Sequence, residues 1–128
     1  MAFDDDGFLS PDHVAWTATT RAQFKEWFDL VESFNREAMK ILFAIKPRQS
    51  INQQLVAASL YGRALQSFQG AVIMAERGMI ADARSIVRSC AETAFAIGSL
   101  TVDDKFPIGI LCAVSPAATL SARRHRLS

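Results

Sequence analysis

Apolar side chains recur at spacings of three and four along most of the chain between residues 20 and 100, which is the repeat of one helix face. Two residues that end helices interrupt this pattern, Pro47 and Gly78. No segment alternates apolar and polar residues for long enough to favour a β-strand. The sequence therefore predicts an all-α fold with three long helices.

The three predicted helices cover residues 20–46, 50–77 and about 80–100. Residues 20–23 (TRAQ) and 50–53 (SINQ) each fit a capping box, in which the first hydroxyl and the fourth side chain satisfy free backbone N–H groups. The connections between the helices are short, so neighbouring helices must be antiparallel. We therefore predict an elongated up-down-up bundle of three long helices.

Composition divides the chain into three parts. Residues 1–16 are predicted to be an irregular acidic arm, residues 17–104 the helical bundle domain, and residues 105–128 an irregular basic tail. All 13 Asp and Glu residues precede the tail. Two interpretations of the tail stay open: it is a flexible extension, or it results from out-of-frame translation and replaces the native C-terminus.

The charge balance excludes several classes of partner. Lys and Arg number 14 against 13 Asp and Glu, so the net charge of +1 creates no field that attracts nucleic acid or an anionic membrane. The uncharged residues 106–122 contain two prolines and are shorter than the roughly 20 apolar residues that span a bilayer. We expect no membrane partner and disfavour a nucleic-acid partner. The acidic N-terminus and the two cysteines favour the cytoplasm.

The two histidines, His13 and His125, restrict the chemistry that the chain can perform. Neither follows a Glu at the Glu-x-x-His spacing of di-iron bundles, and zinc lacks ligands for the same reason. Neither has an upstream Arg at the spacing found in the helical nucleases of bacterial defence systems. No Gly-rich phosphate loop is present. We therefore expect no metal site, no cofactor and no catalytic residue.

Arg84, Arg88 and Glu92 are the candidate ligand-binding residues, because their spacing of four places them on one side of the third helix. Two guanidinium groups clamp a phosphate or carboxylate well, and Glu92 would orient them. The alternative is an Arg88–Glu92 pair that stabilises its own helix or bridges to the next one. Both readings stay open. The predicted apolar face of this helix consists of Ala83, Ile86, Val87, Cys90, Ala94 and Ile97.

Three segments carry a resemblance to a known family: residues 60–65 (LYGRAL), 75–78 (AERG) and 83–92 (ARSIVRSCAE). They resemble a bacterial all-helical family known only as a domain of unknown function, with a helix signature close to Ala-Arg-x-x-x-Arg-Ser-x-x-Glu. The similarity covers roughly residues 20 to 105. The resemblance implies a bundle of long helices and marks Arg84, Arg88 and Glu92, but it implies no activity. Members of the family continue with further helices after the signature, and the tail of this chain departs from that pattern.

Two hypotheses about function follow. The apolar faces exceed what one small bundle buries, which favours a non-enzymatic helical interaction module that binds a second copy as a homodimer, or another helical partner. The alternative is a truncated member of a nucleic-acid-processing or defence-type family of helical enzymes, with Arg84, Arg88 and Glu92 in its site.

Overall fold

The computed structural model of the protein describes residues 2–48 and 52–102. The prediction of an all-α fold is confirmed, since the described residues contain helices and no strand. The predicted tail and the first two residues of the second capping box lie outside the described residues. The elements in chain order are α1 (Ala2–Asp6), a short 3-10 helix (Gly7–Leu9), α2 (His13–Gln23), α3 (Lys25–Ala44), α4 (Asn52–Glu76) and α5 (Ile80–Val102). The described chain therefore has five α-helices, where the sequence predicted three.

The N-terminal arm is helical, so the prediction of an irregular segment before residue 17 is wrong. Asp4 and Asp5 lie in the first turn of α1, where negative charge is favourable because of the helix dipole. The acidic composition that indicated an irregular arm is thus compatible with a helix start. At the entry to α2 the side chain of Ser10 is buried, and its Oγ accepts a hydrogen bond from the Asp12 N–H at 3.2 Å.

The first predicted long helix is in fact two helices that meet at Phe24. Thr20 lies inside α2, so the predicted start near this residue is wrong. A residue that caps a helix has non-helical backbone angles, whereas Thr20 lies within the helical span of α2, which begins at His13. The change of direction occurs at Phe24 itself, whose φ of −113° and ψ of 36° are not helical.

Helices α4 and α5 form an antiparallel pair that holds most of the packing between elements. At one end the Gln53 side-chain amide donates to the Leu100 carbonyl, and further along the Cys90 thiol donates to the Ala64 carbonyl at 3.4 Å. At the other end Gly78 forms the turn with a φ of +84°, which glycine adopts far more readily than other residues. The predicted helix end at Gly78 is confirmed.

Helix α3 contacts α4 in fewer places and is antiparallel to it. The Tyr61 hydroxyl donates to the Ala38 carbonyl at 2.9 Å, and the Gln69 amide donates to Asn35 Oδ1 at 2.9 Å. The pairing order is reversed between the two helices, as antiparallel packing requires. These two hydrogen bonds, together with a limited apolar contact, fix the position of α3 on α4.

The buried apolar core of the described residues is small, and half of its members are alanine: Ala38, Leu60, Leu65, Ala71, Ala83 and Leu100. Alanine side chains allow neighbouring helices to approach closely, but each one removes little apolar area from water. The N-terminal segment adds aromatic contacts at the α4–α5 turn, where a Cβ on Gly78 would lie 3.6 Å from Trp16 Nε1 and 3.8 Å from Phe8 Cε1. None of the described helices has the length and apolar character needed to cross a membrane.

Candidate functional site

The predicted candidates Arg84, Arg88 and Glu92 lie on the exposed side of α5. Successive residues of a helix are rotated by about 100°, which places Arg88 on the far side of α5 from Ala83 and Cys90, the residues near α4. The side chains of Arg88 and Glu92 are 84% and 66% exposed. The structure thus brings the three residues together on one surface, and that surface is in contact with water.

Arg88 and Glu92 form the ion pair that the sequence left open as an alternative. Arg88 Nε donates to Glu92 Oε1 at 3.1 Å within the same helix. Pairs of this kind stabilise a helix by about 0.3–0.5 kcal/mol because water screens them. The Arg84 guanidinium has no ion pair and no hydrogen bond within the described part of the chain, so it is available to a ligand or a partner.

Large apolar side chains lie beside these charges on the same side of α5. The structure leaves Val87 57% exposed, so its predicted place on the packed face is wrong; Ala94 is exposed as well. The reason is geometric, since α4 covers only the side of α5 that bears residues such as Ala83 and Cys90. The exposed residues on this side form the outer face of α5, which consists of Ile80, Ala81, Arg84, Val87, Arg88, Glu92 and Phe95.

A second exposed apolar surface lies on α3. It consists of Trp27, Leu30, Phe34 and Ile41, whose spacings of three, four and seven place them on one side of the helix, and it is called the α3 apolar face below. Phe34 borders α4, because its ring meets the ring of Phe68 edge to face with centroids 5.2 Å apart. Trp27 is 70% exposed.

Sequence reasoning missed a cluster of charges around Arg21. Its guanidinium donates from Nη1 to Glu32 Oε1 at 2.5 Å and from Nε to Glu76 Oε2 at 2.6 Å, which joins α2, α3 and α4. The guanidinium also lies 5.0 Å from the centre of the Phe28 ring. Hydrogen bonding to Glu32, and then to Glu76, raises the pKa of Arg21 above its ordinary value.

No local spacing identifies this cluster. In the sequence, Arg36 is the natural partner of Glu32 because it follows four positions later, and that contact does form, at 3.7 Å. The shorter bonds to Arg21 depend on residues distant along the chain. The cluster is built from paired charges, and its contacts link three helices at one place.

The remaining candidate chemistry is sparse among the residues that the structure describes. Over residues 2–48 and 52–102, no group of three or more His, Cys, Asp and Glu residues is placed to hold a metal ion. Cys90 is a half-buried free thiol that donates to the Ala64 carbonyl. A thiol in this position matches the interpretation of a small packing residue better than that of an exposed nucleophile.

Comparison with known proteins gives one finding. No curated protein and no solved structure matches the chain significantly. A family model does match, over a range that includes most of α4, all of α5 and the positions Arg84, Arg88 and Glu92. The predicted resemblance to a family of unknown function is thereby confirmed. Residues 54–110, somewhat less than half of the chain, match the family described as "Family of unknown function (DUF5677)".

Proposed function

We propose that this protein is a non-enzymatic helical interaction module that self-associates as a homodimer in the cytoplasm. The main support for the proposal is that large apolar side chains are exposed to water, whereas the buried apolar side chains of the described residues are Ala and Leu. Among the described residues the buried core contains no aromatic side chain, whereas Trp27 and Phe95 are 70% and 77% exposed. Monomeric proteins seldom expose contiguous apolar patches of more than a few hundred Å² unless the patch binds something.

The exposed residues are also of the kind that stabilises helical interfaces. Phe and Trp side chains each bury about 150–250 Å² when they are covered, which makes them frequent anchors of protein–protein contacts. Trp27 and Phe95 lie on two different helices, so exposed apolar surface is present on more than one helix. Removing such side chains from water contributes about 1.5–3 kcal/mol each.

The exposure of Arg88 and Glu92 supports an interaction surface over an enzyme site. Electrostatic catalysis depends on charges held in a water-excluded environment, where their effect on a reacting group is strong. The Arg88–Glu92 pair is exposed to water on both side chains. Charges beside exposed apolar residues are typical of the polar rim of an interface.

Sedimentation velocity on the full chain tests the proposal. The expected result is a shift from the monomer mass of 14.1 kDa to twice that mass as concentration rises. Concentrations from about 1 µM to about 200 µM cover the range in which a micromolar Kd populates both species. A double variant, Trp27→Ser with Phe95→Ser, should weaken association, because it removes one anchor from each exposed surface.

A matched control is Leu9→Ser, which removes a side chain that is 91% exposed but lies on neither helix. It should leave association unchanged. A strict monomer across the whole concentration range would contradict the proposal. Cleavage of labelled RNA or DNA by the purified chain, abolished by Arg84→Ala, would instead favour the enzyme alternative.

A further inference from the structure

We infer that the outer face of α5 binds the second copy, with the two α5 helices antiparallel and Arg84 of each copy paired with Glu92 of the other. The inference rests on the proposed self-association and identifies its contact surface. The contact lies on α5 rather than α3 because the outer face of α5 carries a charge pattern that selects a particular partner.

The order of charges along α5 is the first reason. From the N-terminal end the column reads positive at Arg84, positive at Arg88 and negative at Glu92. A parallel pair of such helices places Arg84 against Arg84 and Glu92 against Glu92, which is repulsive. An antiparallel pair with its two-fold axis at Arg88 places each Arg84 opposite a Glu92, which is attractive on both sides of the axis.

The Arg84 guanidinium and one carboxylate oxygen of Glu92 are available to form that contact. Arg84 has no ion pair or hydrogen bond in the described part of the chain. Glu92 uses Oε1 to accept from Arg88, which leaves Oε2 for a second guanidinium. Arg88 lies at the two-fold axis, where it approaches Arg88 of the second copy. The positive charge of each Arg88 is balanced by Glu92 of its own helix, at 3.1 Å.

The sizes of the apolar side chains fit the same arrangement. With the axis at Arg88, Phe95 of one copy lies opposite Ala81 of the other. Phe95 is 77% exposed in the single chain, and Ala81 is exposed as well. A large side chain thus faces a small one on each side of the two-fold axis, which allows two helices to pack closely.

The α3 apolar face is not accompanied by a charge pattern of this kind. Two pairs of charges on α3 form within the helix, Lys25 with Asp29 at 2.5 Å and Lys40 with Glu37 at 2.7 Å. This face can add contact area to an assembly, but its charges do not favour one orientation over another.

Charge reversal in the full chain tests the inference. Arg84→Glu and Glu92→Arg each create like-charge contacts at two symmetric positions, so each should raise the dimer Kd by about a hundredfold, at roughly tenfold per contact. The double variant Arg84→Glu/Glu92→Arg should restore the wild-type Kd to within about threefold, and an equimolar mixture of the two single variants should form heterodimers by native mass spectrometry.

Lys40→Glu is the matched control for Arg84→Glu, since it makes the same change in net charge on an exposed residue of α3. It should leave the Kd unchanged. Circular dichroism of each variant checks that helix content is kept, and Glu92→Arg provides an independent test if Arg84→Glu does not fold.

The outcomes separate the inference from the proposed function. Loss of association in each single variant with recovery in the double variant supports the antiparallel α5 contact. A wild-type dimer whose Kd is insensitive to both single reversals overturns the inference and leaves self-association standing, with a different contact. A wild-type monomer overturns both.

Discussion

Arg21 of α2 donates from Nε to Glu76 Oε2 of α4 at 2.6 Å, across 55 positions of sequence. The same guanidinium binds Glu32 of α3 at 2.5 Å. One side chain therefore connects the N-terminal helices to the α4–α5 pair. Because the apolar core is small and rich in alanine, we expect this connection to contribute more to stability than a surface ion pair ordinarily does.

Replacing Arg21 with alanine should lower the free energy of unfolding by about 1–2 kcal/mol, since it removes two charge-assisted hydrogen bonds and leaves Glu76, only 13% exposed, without its partner. The partial exposure of Arg21 keeps the effect below that of a fully buried pair. Urea denaturation followed by circular dichroism measures it. The matched control is Arg36→Ala, whose contact with Glu32 spans 3.7 Å and should matter by less than about 0.5 kcal/mol. Equal effects of the two substitutions would contradict the special role of Arg21.

Gly78 and Gly70 should respond in opposite directions to the same substitution. Gly78→Ala places a Cβ on a residue with a φ of +84°, which costs about 1–2 kcal/mol. Gly70 lies inside α4, and a Cβ there meets nothing within 4 Å, so Gly70→Ala should stabilise the protein by about 0.5–1 kcal/mol. Thermal unfolding of both variants gives the comparison. A stabilising Gly78→Ala would show that the α4–α5 turn differs from the one described.

Arg88→Ala should leave the fold intact. The Arg88–Glu92 pair is exposed, so its loss should cost less than about 0.5 kcal/mol, and far-ultraviolet circular dichroism should be unchanged. Loss of helix content would mean that Arg88 has a structural contact beyond its own helix. Glu92→Gln is the companion variant, because it removes the same ion pair while keeping the size of the side chain.

Lys25 should titrate above its ordinary pKa of 10.5, because its ammonium donates to Asp29 at 2.5 Å and this hydrogen bond favours the charged form. A pKa that is raised on folding stabilises the folded protein below the unfolded value, and this contribution disappears as pH rises through the folded value. A titration of the Lys25 Cε chemical shift measures the pKa. In Asp29→Asn the pKa should fall towards the ordinary value; an unchanged titration would show that the ion pair does not form in solution.

Local spacing accounts for the features that the sequence predicted correctly. Helices α4 and α5, the turn at Gly78 and the Arg88–Glu92 pair depend on residues at most a few positions apart, so their pattern is visible without the fold. The resemblance to a family of unknown function over residues 54–110 is likewise carried by the sequence of these two helices.

The charge cluster that the sequence did not predict depends on residues far apart along the chain. A continuous helix would hold Arg21 and Glu32 about 16 Å apart along its axis, so their contact requires the change of direction at Phe24. The position of Glu76 beside Arg21 follows only when α4 has packed against the N-terminal helices.

The amino-acid sequence by itself determined that this chain is helical, and where α4 and α5 meet in a turn, because helix periodicity and the backbone freedom of Gly78 are local properties. Only the tertiary structure decided which side of α5 is exposed. That choice depends on where α4 lies, and it places Val87 and Phe95 in water on the same side of α5 as Arg84, the arrangement from which the α5 contact between two copies is inferred.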